Sequence, residues 1–451
     1  MMRNVLILGA AGNVGRGLTE AFYRNGWNVY AVDPNFSSSS SLANNDESTS
    51  PKLLFNWNNE RQRGETNVHN DLGQLHFFSS TVEKLFESTT IWDDLFHQET
   101  QDDDDTNYKK NDIGSTTRRK GKIKDDDNPT IITICYAAEN GNRDDYASIP
   151  NDITEQNIQQ FSTFIHKLSH VIQEEEKKKK KRHLNENDSN NNNDTNNVTT
   201  MPTTVRIFYC GGSWTRRQPT IFNNDNDDTS SIVVNDDSPT KKNGGDNPYE
   251  RAKTLSYWNA KALAKQHQDW CDICFIDYIS VVPNFSPNFT IYKMVQSAIQ
   301  DQKIIYSHGD DYGRPLLHTR DAGQIIATLA SKEKLMPSTT TTTTTTDDEN
   351  DENISTEESG GTSSFRLVLL PGHFTPFEKF ASIVKDVVTN ETNIDQIRLE
   401  KQNSTPDFLR SKCMSKQLYN KIGFQPNESL IEDALIECAM EAVKNSMHKK
   451  L

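Results

Sequence analysis

Length, composition and charge limit the classes of protein that this sequence can represent. The chain has 451 residues and a formal net charge of −15, with 49 Lys and Arg against 64 Asp and Glu. This acidic balance argues against a surface that binds nucleic acid or an anionic membrane. Only 33% of the residues are hydrophobic, so we expect the folded part to be smaller than the whole chain.

The sequence contains no motif that we interpret as a targeting signal, a membrane span or a metal site. No stretch approaches the roughly 18 apolar residues of a membrane span, and the chain begins with a strand-like segment, Val5 to Leu8, instead of a charged and then apolar leader. We therefore expect a soluble, cytoplasmic protein. Cys271 and Cys274 lack the second cysteine pair that such a zinc site needs, so we expect no metal and place this pair in or beside a buried strand.

Low-complexity segments interrupt the chain. They are rich in Asn, Asp, Ser, Thr or Lys and bury too little apolar surface to offset the entropy lost on ordering. We predict one larger α/β core over residues 1–336, a disordered insertion over 337–363, and a smaller C-terminal α/β lobe over 364–451. The segments span residues 37–70, 99–128, 174–202, 220–246 and 337–363.

The core alternates short apolar runs with helical patterns, which is typical of βαβ units in a doubly wound parallel sheet. A further strand over 365–370 precedes an amphipathic helix that starts near Phe377, and we assign both to the C-terminal lobe. The predicted core strands cover residues 4–8, 28–32, 75–78, 130–135, 205–210 and 272–282.

A glycine-rich turn follows the first strand and opens the first helix. Glycines at such a turn let the backbone approach a pyrophosphate, whose charge lies at the positive end of the helix. Asp33 closes the second strand, and its carboxylate can accept hydrogen bonds from both hydroxyls of an adenosine ribose. Because that charge repels a 2′-phosphate, NAD is favoured over NADP. The predicted cofactor contacts are Gly9, Gly12, Asn13, Val14, Gly15 and Asp33.

A tyrosine and a lysine lie four residues apart on a second predicted helix. Asn247 and Pro248 supply an N-cap and a first-turn proline, so Tyr249 and Lys253 share one helix face. A nearby ammonium stabilises a phenolate and brings a tyrosine into the working range of a general base. Such pairs also occur on helix surfaces, but a position after the fifth strand of a dinucleotide-binding chain favours catalysis.

Together these motifs resemble the extended branch of the short-chain dehydrogenase/reductase superfamily, which contains sugar-nucleotide epimerases, dehydratases and reductases. Further segments carry the resemblance. Cys135-Tyr-Ala137-Ala138 is similar to the fourth-strand end that lines the adenosine and ribose, and Asn157 is similar to the family's helix-four Asn. The stretch from Arg314 to Asp321 is similar to the one near the family's substrate lobe. The resemblance implies a Rossmann fold that binds NAD.

The resemblance also implies roles for individual residues. Tyr249 is the expected general acid/base, and Lys253 the residue that binds the nicotinamide ribose and activates Tyr249. Ser213 is the expected residue that orients the reacting oxygen. The serine run and Tyr-Gly pair usual in this branch are missing here, so counting from the strand end also allows Gly212 in that slot, with Thr215 as the alternative hydroxyl.

Three functions remain open from the sequence. The first is an NAD-dependent oxidoreductase or epimerase/dehydratase-like enzyme acting on a small molecule, with a nucleotide sugar and a homodimer implied by the resemblance. Arg314 and Arg320 are the suggestive partners of a diphosphate, although each also fits a solvated surface charge. The second is a nucleotide-sensing regulator that has lost turnover. The third assigns the work to the low-complexity tracts as interaction segments.

Overall fold

The structure is a computed structural model that describes twelve ranges of the chain. The described residues are 3–36, 73–96, 131–139, 148–188, 203–211, 248–278, 280–307, 312–331, 364–370, 372–402, 423–424 and 427–448. All structural statements below concern these ranges.

The elements alternate strands and helices in the order that the sequence predicts for a doubly wound fold. The described strands are β1 (Arg3–Leu8), β2 (Trp27–Val32), β3 (Leu75–Phe78), β4 (Ile131–Tyr136), β5 (Thr204–Cys210), β6 (Cys271–Tyr278), β7 (Ser280–Val282), β8 (Lys303–Ser307), β9 (Gly313–His318), β10 (Phe365–Leu370), β11 (His373–Pro376) and β12 (Arg398–Gln402). The described helices are α1 (Asn13–Arg24), α2 (Thr89–Phe96), α3 (Pro150–Asp188), α4 (Pro248–Gln266), α5 (Thr290–Asp301), α6 (Thr319–Ser331), α7 (Phe377–Thr392) and α8 (Glu428–His448).

Seven parallel strands form the large sheet in the order β10-β6-β5-β4-β1-β2-β3. Strand β1 is central, and Val5 pairs with Val29 on one side and with Thr133 on the other. The chain therefore winds outward in both directions from β1, so the loops after β1 and β4 lie side by side at the carboxyl edge, where such sheets bind ligands. The predicted doubly wound Rossmann fold is confirmed.

Helices cover both faces of this sheet, because successive residues of a buried strand point to opposite sides. Val5 and Ile7 belong to the core shared with α1 and α6. Leu6 and Leu8 belong to the core shared with α2, α3 and α4. The near-continuous apolar sequence of β1 follows from this two-sided burial.

Helices α1 and α6 cross with their backbones in direct contact. A Cβ added to Gly17 would overlap the carbonyl group of Thr319, and one added to Gly323 would overlap the carbonyl group of Gly17. Beside this crossing, the buried carboxylate of Glu20 accepts a hydrogen bond from Arg320 Nε at 2.9 Å. Thus α6 is fixed against the helix that opens at the glycine turn.

A third apolar core belongs to the smaller lobe. It joins α5 and Ile304 of β8 to the buried faces of α7 and α8. The lobe also contains a three-stranded sheet, β11-β9-β7, and the parallel pair β12-β8. The lobe therefore draws on residues from the 280s onward, whereas the sequence analysis placed everything before residue 337 in the larger core.

Two strand assignments differ from the sequence analysis. The predicted strand over 272–282 divides, because β6 ends in the large sheet at Tyr278 and β7 pairs with β9 instead. Strand β10, which we had assigned to the lobe, is the edge strand of the large sheet, where Phe365 pairs with Ile273. Its apolar sequence fits this parallel, largely buried position better than a lobe strand.

Helix α3 extends into a predicted low-complexity segment. It runs to Asp188, so residues 174–188 are helical instead of disordered. Lys177 pairs with Glu174 at 2.7 Å and Lys178 pairs with Glu175, both at i,i+3 spacing. These pairs and the burial of Glu175 stabilise the extension.

Candidate active site

The glycine turn between β1 and α1 requires glycine at its first position. Gly9 has φ +77°, in the left-handed region, and a Cβ there would stand 2.5 Å from the carbonyl oxygen of Ala137. It would also stand 2.8 Å from the Cα of Ala138. The turn is therefore pressed against the residues that follow β4, which are two of the predicted cofactor contacts.

Helix α1 begins at Asn13 with its N-terminus open toward the same edge. Gly12 is its N-cap residue, has no side-chain capping bond, and precedes a first turn without acidic side chains. The backbone N–H groups of a first helical turn have no partner within the helix, so those of Asn13, Val14 and Gly15 are the donors that would hold an anion, together with the helix dipole. A Cβ on Gly15 would overlap the Gly9 carbonyl oxygen, so this cradle fits a pyrophosphate only with glycines present.

Asp33 lies beside this loop at the end of β2. Its Oδ2 accepts a hydrogen bond from the Ala11 backbone N–H at 3.0 Å, and its Oδ1 accepts one from the Asn35 N–H at 2.9 Å. A carboxylate has about four acceptor sites, so these two bonds leave capacity for ribose hydroxyls. The position fits the predicted contact with the adenosine ribose.

The residues after β4 connect the glycine turn to helix α4. The Ala137 N–H donates to the Leu8 carbonyl oxygen at 2.9 Å, which continues the sheet past the end of β4. Glu139 follows, and its Oε2 lies 2.6 Å from Lys253 Nζ. The Ser256 hydroxyl donates to the other oxygen, Oε1, at 2.5 Å. The side chains of Glu139 and Lys253 are only 3% and 4% exposed.

Tyr249 and Lys253 share one face of α4 as the sequence predicts. The Lys253 ammonium lies 5.4 Å from the centroid of the Tyr249 ring. Tyr249 is half-buried and packs against Ala252 and against Ile153 of α3. Asn157 is buried one turn further along α3, so the predicted cofactor-binding Asn lies on a helix in direct contact with the Tyr-bearing helix.

Two titratable neighbours of Glu139, one on β5 and one on β6, are uncharged at neutral pH. Burial raises the pKa of Cys210, at the end of β5, to about 12, and the Glu139 carboxylate adds to this rise. Burial also raises the pKa of Tyr278 far above its ordinary range, against the opposing effect of the Lys253 ammonium. The contact between Glu139 and Lys253 therefore lies beside two neutral, buried side chains.

Several predicted residues lie outside the described part of the chain. These are Gly212, Ser213 and Thr215, together with the N-cap residue Asn247. The described chain stops at Gly211, where an added Cβ would overlap the ring of Phe275. Gly211 therefore closes a tightly packed strand end at the same edge as Glu139, and the role of Ser213 stays a prediction.

The two arginines considered for a diphosphate have different surroundings. Arg320 pairs with Glu20, whose carboxylate also pairs with Arg24, whereas Arg314 lies on β9 opposite Thr375. Asp321, in the first turn of α6, accepts a hydrogen bond from the Asn427 N–H at 3.2 Å. Burial raises the pKa of Asp321 to about 6.

Sequence reasoning missed Glu139, although one signal was present. A charged residue directly after the two alanines at the end of a buried strand lies at the ligand-binding edge of a parallel sheet. Its partner is 114 positions away in the chain, so the ion pair itself is visible only in the fold.

The cysteine pair on β6 is structural. Cys271 and Cys274 are buried and belong to cores on opposite faces of the large sheet, so their thiols point apart. Within the described ranges, no cluster of three or more His, Cys, Asp or Glu side chains is arranged to hold a metal ion. None of the helices that the structure describes has the length and apolar content of a membrane span.

Comparison with solved structures finds distant similarity along the whole chain. The UDP-Glc/GlcNAc 4-epimerase of Campylobacter jejuni is 14% identical with a TM-score of 0.48, covering 99% of this chain and 99% of that chain. The UDP-N-acetylglucosamine 4-epimerase of Methanobrevibacter ruminantium is 13% identical with a TM-score of 0.48, covering 98% and 99%. The UDP-glucose 4-epimerase of Bifidobacterium longum is 12% identical with a TM-score of 0.48, covering 98% and 99%.

Comparison of the sequence with family models identifies the family of this chain. No curated protein matches the chain. The model of the NAD dependent epimerase/dehydratase family matches residues 5–340, which include the glycine turn, the residues after β4 and helix α4. The chain therefore belongs to the NAD-dependent epimerase/dehydratase family, and it is an enzyme whose cofactor is NAD.

Proposed function

We propose that this enzyme transfers hydride between NAD and a carbinol or carbonyl carbon of its substrate, with Tyr249 as the general acid/base. The observation that carries the proposal is the contact of Lys253 with both Tyr249 and Glu139. Glu139 directly follows Ala137 and Ala138, which contact Gly9. These contacts support an acid/base pair and an anion site that would share one edge of the sheet.

Each group of NAD has its own set of proposed partner residues. The α1 N-terminus, with its glycines, would hold the pyrophosphate, and Asp33 would accept the hydroxyls of the adenosine ribose. Ala137, Ala138 and Asn157 would line the path toward the nicotinamide. When bound, NAD supplies a carbon that accepts or returns hydride. The proposed pyrophosphate contacts are Gly9, Gly12, Asn13, Val14 and Gly15.

The protein's own part in the reaction is proton transfer. Tyr249 Oη would take the proton of the substrate hydroxyl as the carbinol is oxidised and return it in the reverse direction. The Lys253 ammonium would stabilise the phenolate and contact the nicotinamide ribose. Ser213, with Thr215 as the alternative, would donate a hydrogen bond to the reacting oxygen.

We propose a nucleotide sugar as the substrate class to test first, because the sequence resembles the sugar-nucleotide branch of its superfamily. Arg314 and Arg320 are the candidate partners of the diphosphate, and Arg320 also pairs with Glu20. The smaller lobe, with its own core, would supply the substrate pocket opposite the Rossmann sheet.

A homodimer through α3 and α4 is part of the proposal. Leu255 and Trp258 lie one turn apart on the outer side of α4, and they are 47% and 44% exposed. Two large apolar side chains at this spacing form a stripe that a second copy of the helix would cover. Sedimentation of Leu255→Glu/Trp258→Glu against the natural protein tests this, with a shift from dimer to monomer expected.

Turnover of a nucleotide-sugar panel by the natural protein, Tyr249→Phe and Tyr23→Phe tests the proposed chemistry. Tyr23 is the matched control, because it lies at the far end of α1. We expect Tyr249→Phe to lose at least about 100-fold in kcat while NAD affinity is retained. Unchanged kcat in Tyr249→Phe contradicts the proposal, and NAD binding without turnover in the natural protein favours the sensing regulator.

A further inference from the structure

We propose that Glu139 is a positioning residue that keeps the side chain of Lys253 charged and fixed beside Tyr249. The inference deepens the proposed function, because it concerns the residue that would activate the general acid/base. Neither the sequence motifs nor the family resemblance assigns a role to this glutamate.

Each of the two carboxylate oxygens of Glu139 contacts a different residue of helix α4, and we call this arrangement the anchor. One oxygen lies 2.6 Å from the Lys253 ammonium, and the other accepts the Ser256 hydroxyl. Lys253 and Ser256 are three residues apart on α4, so a single carboxylate holds one face of that helix to the end of β4. The Lys253 side chain therefore cannot move away from Tyr249 without breaking this contact.

Burial makes the charge of Lys253 depend on this partner. An ammonium only 4% exposed is disfavoured relative to the neutral amine unless a counter-ion lies next to it. Glu139 is in direct contact, whereas the Tyr249 ring centroid is 5.4 Å away. Because Coulomb interactions weaken with distance, loss of the carboxylate acts first on the protonation of Lys253.

The other titratable groups at this site do not replace Glu139. Burial raises the pKa values of Tyr136 on β4, Cys210 on β5 and Tyr278 on β6, so all three are neutral near pH 7. Helix α3 contributes the apolar Ile153 on this side. Among the residues that the structure describes at this site, Glu139 is thus the carboxylate in direct contact with Lys253.

Competitive acetylation tests this dependence directly. Acetic anhydride modifies only neutral amines, so labelling over a pH series, analysed peptide by peptide by mass spectrometry, gives the protonation midpoint of Lys253 in the full chain. We expect Glu139→Gln to lower this midpoint by more than about 1 pH unit. The matched control is Glu175→Gln, which removes another buried glutamate paired with a lysine, Lys178, and should leave the Lys253 midpoint unchanged.

Two variants weaken the contact of Glu139 to different extents, since Glu139→Gln removes the charge and Ser256→Ala removes one hydrogen bond. Circular dichroism checks that each variant is folded. If Glu139→Gln does not fold, Ser256→Ala takes its place, since it loosens the carboxylate while retaining its charge, and a smaller fall of the midpoint is expected. A midpoint equal to that of the natural protein in the folded variant overturns the proposal. The measurement needs no turnover, so failure of the proposed reaction does not affect it.

A second measurement separates positioning from the proposed ribose contact. In Glu139→Gln, NADH affinity should be lower at pH values above the Lys253 midpoint found by acetylation and should recover below it, because protonation restores the ammonium. A loss caused only by damaged structure would not recover on acidification, and that result would overturn the proposal. A shifted acetylation midpoint with the same NADH affinity above and below it would support the anchor and contradict the contact of Lys253 with the ribose.

Discussion

The carboxylate of Asp33 accepts the backbone N–H of Ala11 at 3.0 Å, so the side chain expected to bind ribose also ties the glycine turn to the end of β2. Removal of this carboxylate leaves the N–H groups of Ala11 and Asn35 without their acceptors. We expect Asp33→Ala to lower the free energy of unfolding by about 2 kcal/mol, and Asp33→Asn by less, because its amide oxygen still accepts one bond. Urea denaturation measures both, and equal losses would contradict the anchoring role.

Gly9 has a left-handed backbone conformation and also lies close to the backbone of Ala137. Alanine substitutions at Gly9 and at Gly423 separate the effects of these two features. Gly423 also has positive φ, +69°, but an added Cβ there meets nothing within 4 Å. We expect Gly423→Ala to cost about 1 kcal/mol of stability and Gly9→Ala at least about 2 kcal/mol, because only the latter displaces Ala137. Urea denaturation compares them. NADH binding should weaken in Gly9→Ala alone, and a similar effect of both would contradict the close-approach argument.

Burial of Asp321 makes stability depend on pH. Its pKa rises from 3.8 to about 6 on folding, so the folded state binds the extra proton between these values. Stability therefore decreases as pH rises through this window. We expect Asp321→Asn, whose amide oxygen can still accept the Asn427 N–H, to be more stable than the natural protein by up to about 3 kcal/mol at pH 8 and nearly equal to it at pH 4.

Thermal unfolding of Asp321→Asn over this pH range measures the effect. Asp386→Asn, at an exposed site on α7, controls for the chemical change. A stability difference that is the same at pH 4 and pH 8 would show that Asp321 is not the titrating group.

Helix α3 predicts a specific pattern of proteolysis. The lysines over 177–181 lie within the described helix, and a helical backbone must open before a protease can bind it. We expect trypsin to cleave after these lysines at least about 10-fold more slowly than in the urea-unfolded chain. Mass spectrometry of timed digests provides the rates, and cleavage at the unfolded rate would contradict the helical extension.

Much of the Rossmann part could be predicted because its signals are local. The apolar run of β1 followed by Gly9 and the helix pattern of α1 fixes a strand, a turn and a helix within one stretch of chain. Tyr249 and Lys253 needed only the helical period to share a face. The predicted strands agree with the described ones to within one or two residues for β1 to β5.

The remainder depends on contacts between distant parts of the chain. The sequence over 365–370 predicts a strand but not its partner, so its pairing with β6 could not be deduced. The division between β6 and β7 could not be deduced either, because β7 is a separate strand only through its pairing with the distant strand β9. The ion pair of Glu139 with Lys253 joins the end of one strand to the side of a helix. Composition alone also misjudged residues 174–188, where Glu and Lys at i,i+3 spacing support a helix.

The most direct test of the account is a calorimetric titration of the full chain with NADH and NADPH in parallel, repeated with Asp33→Asn. The glycine turn, the open α1 N-terminus and the Asp33 carboxylate predict tighter binding of NADH than of NADPH, with the preference reduced in the variant. Absence of binding to either nucleotide, or tighter binding of NADPH by the natural protein, would contradict the proposed cofactor site.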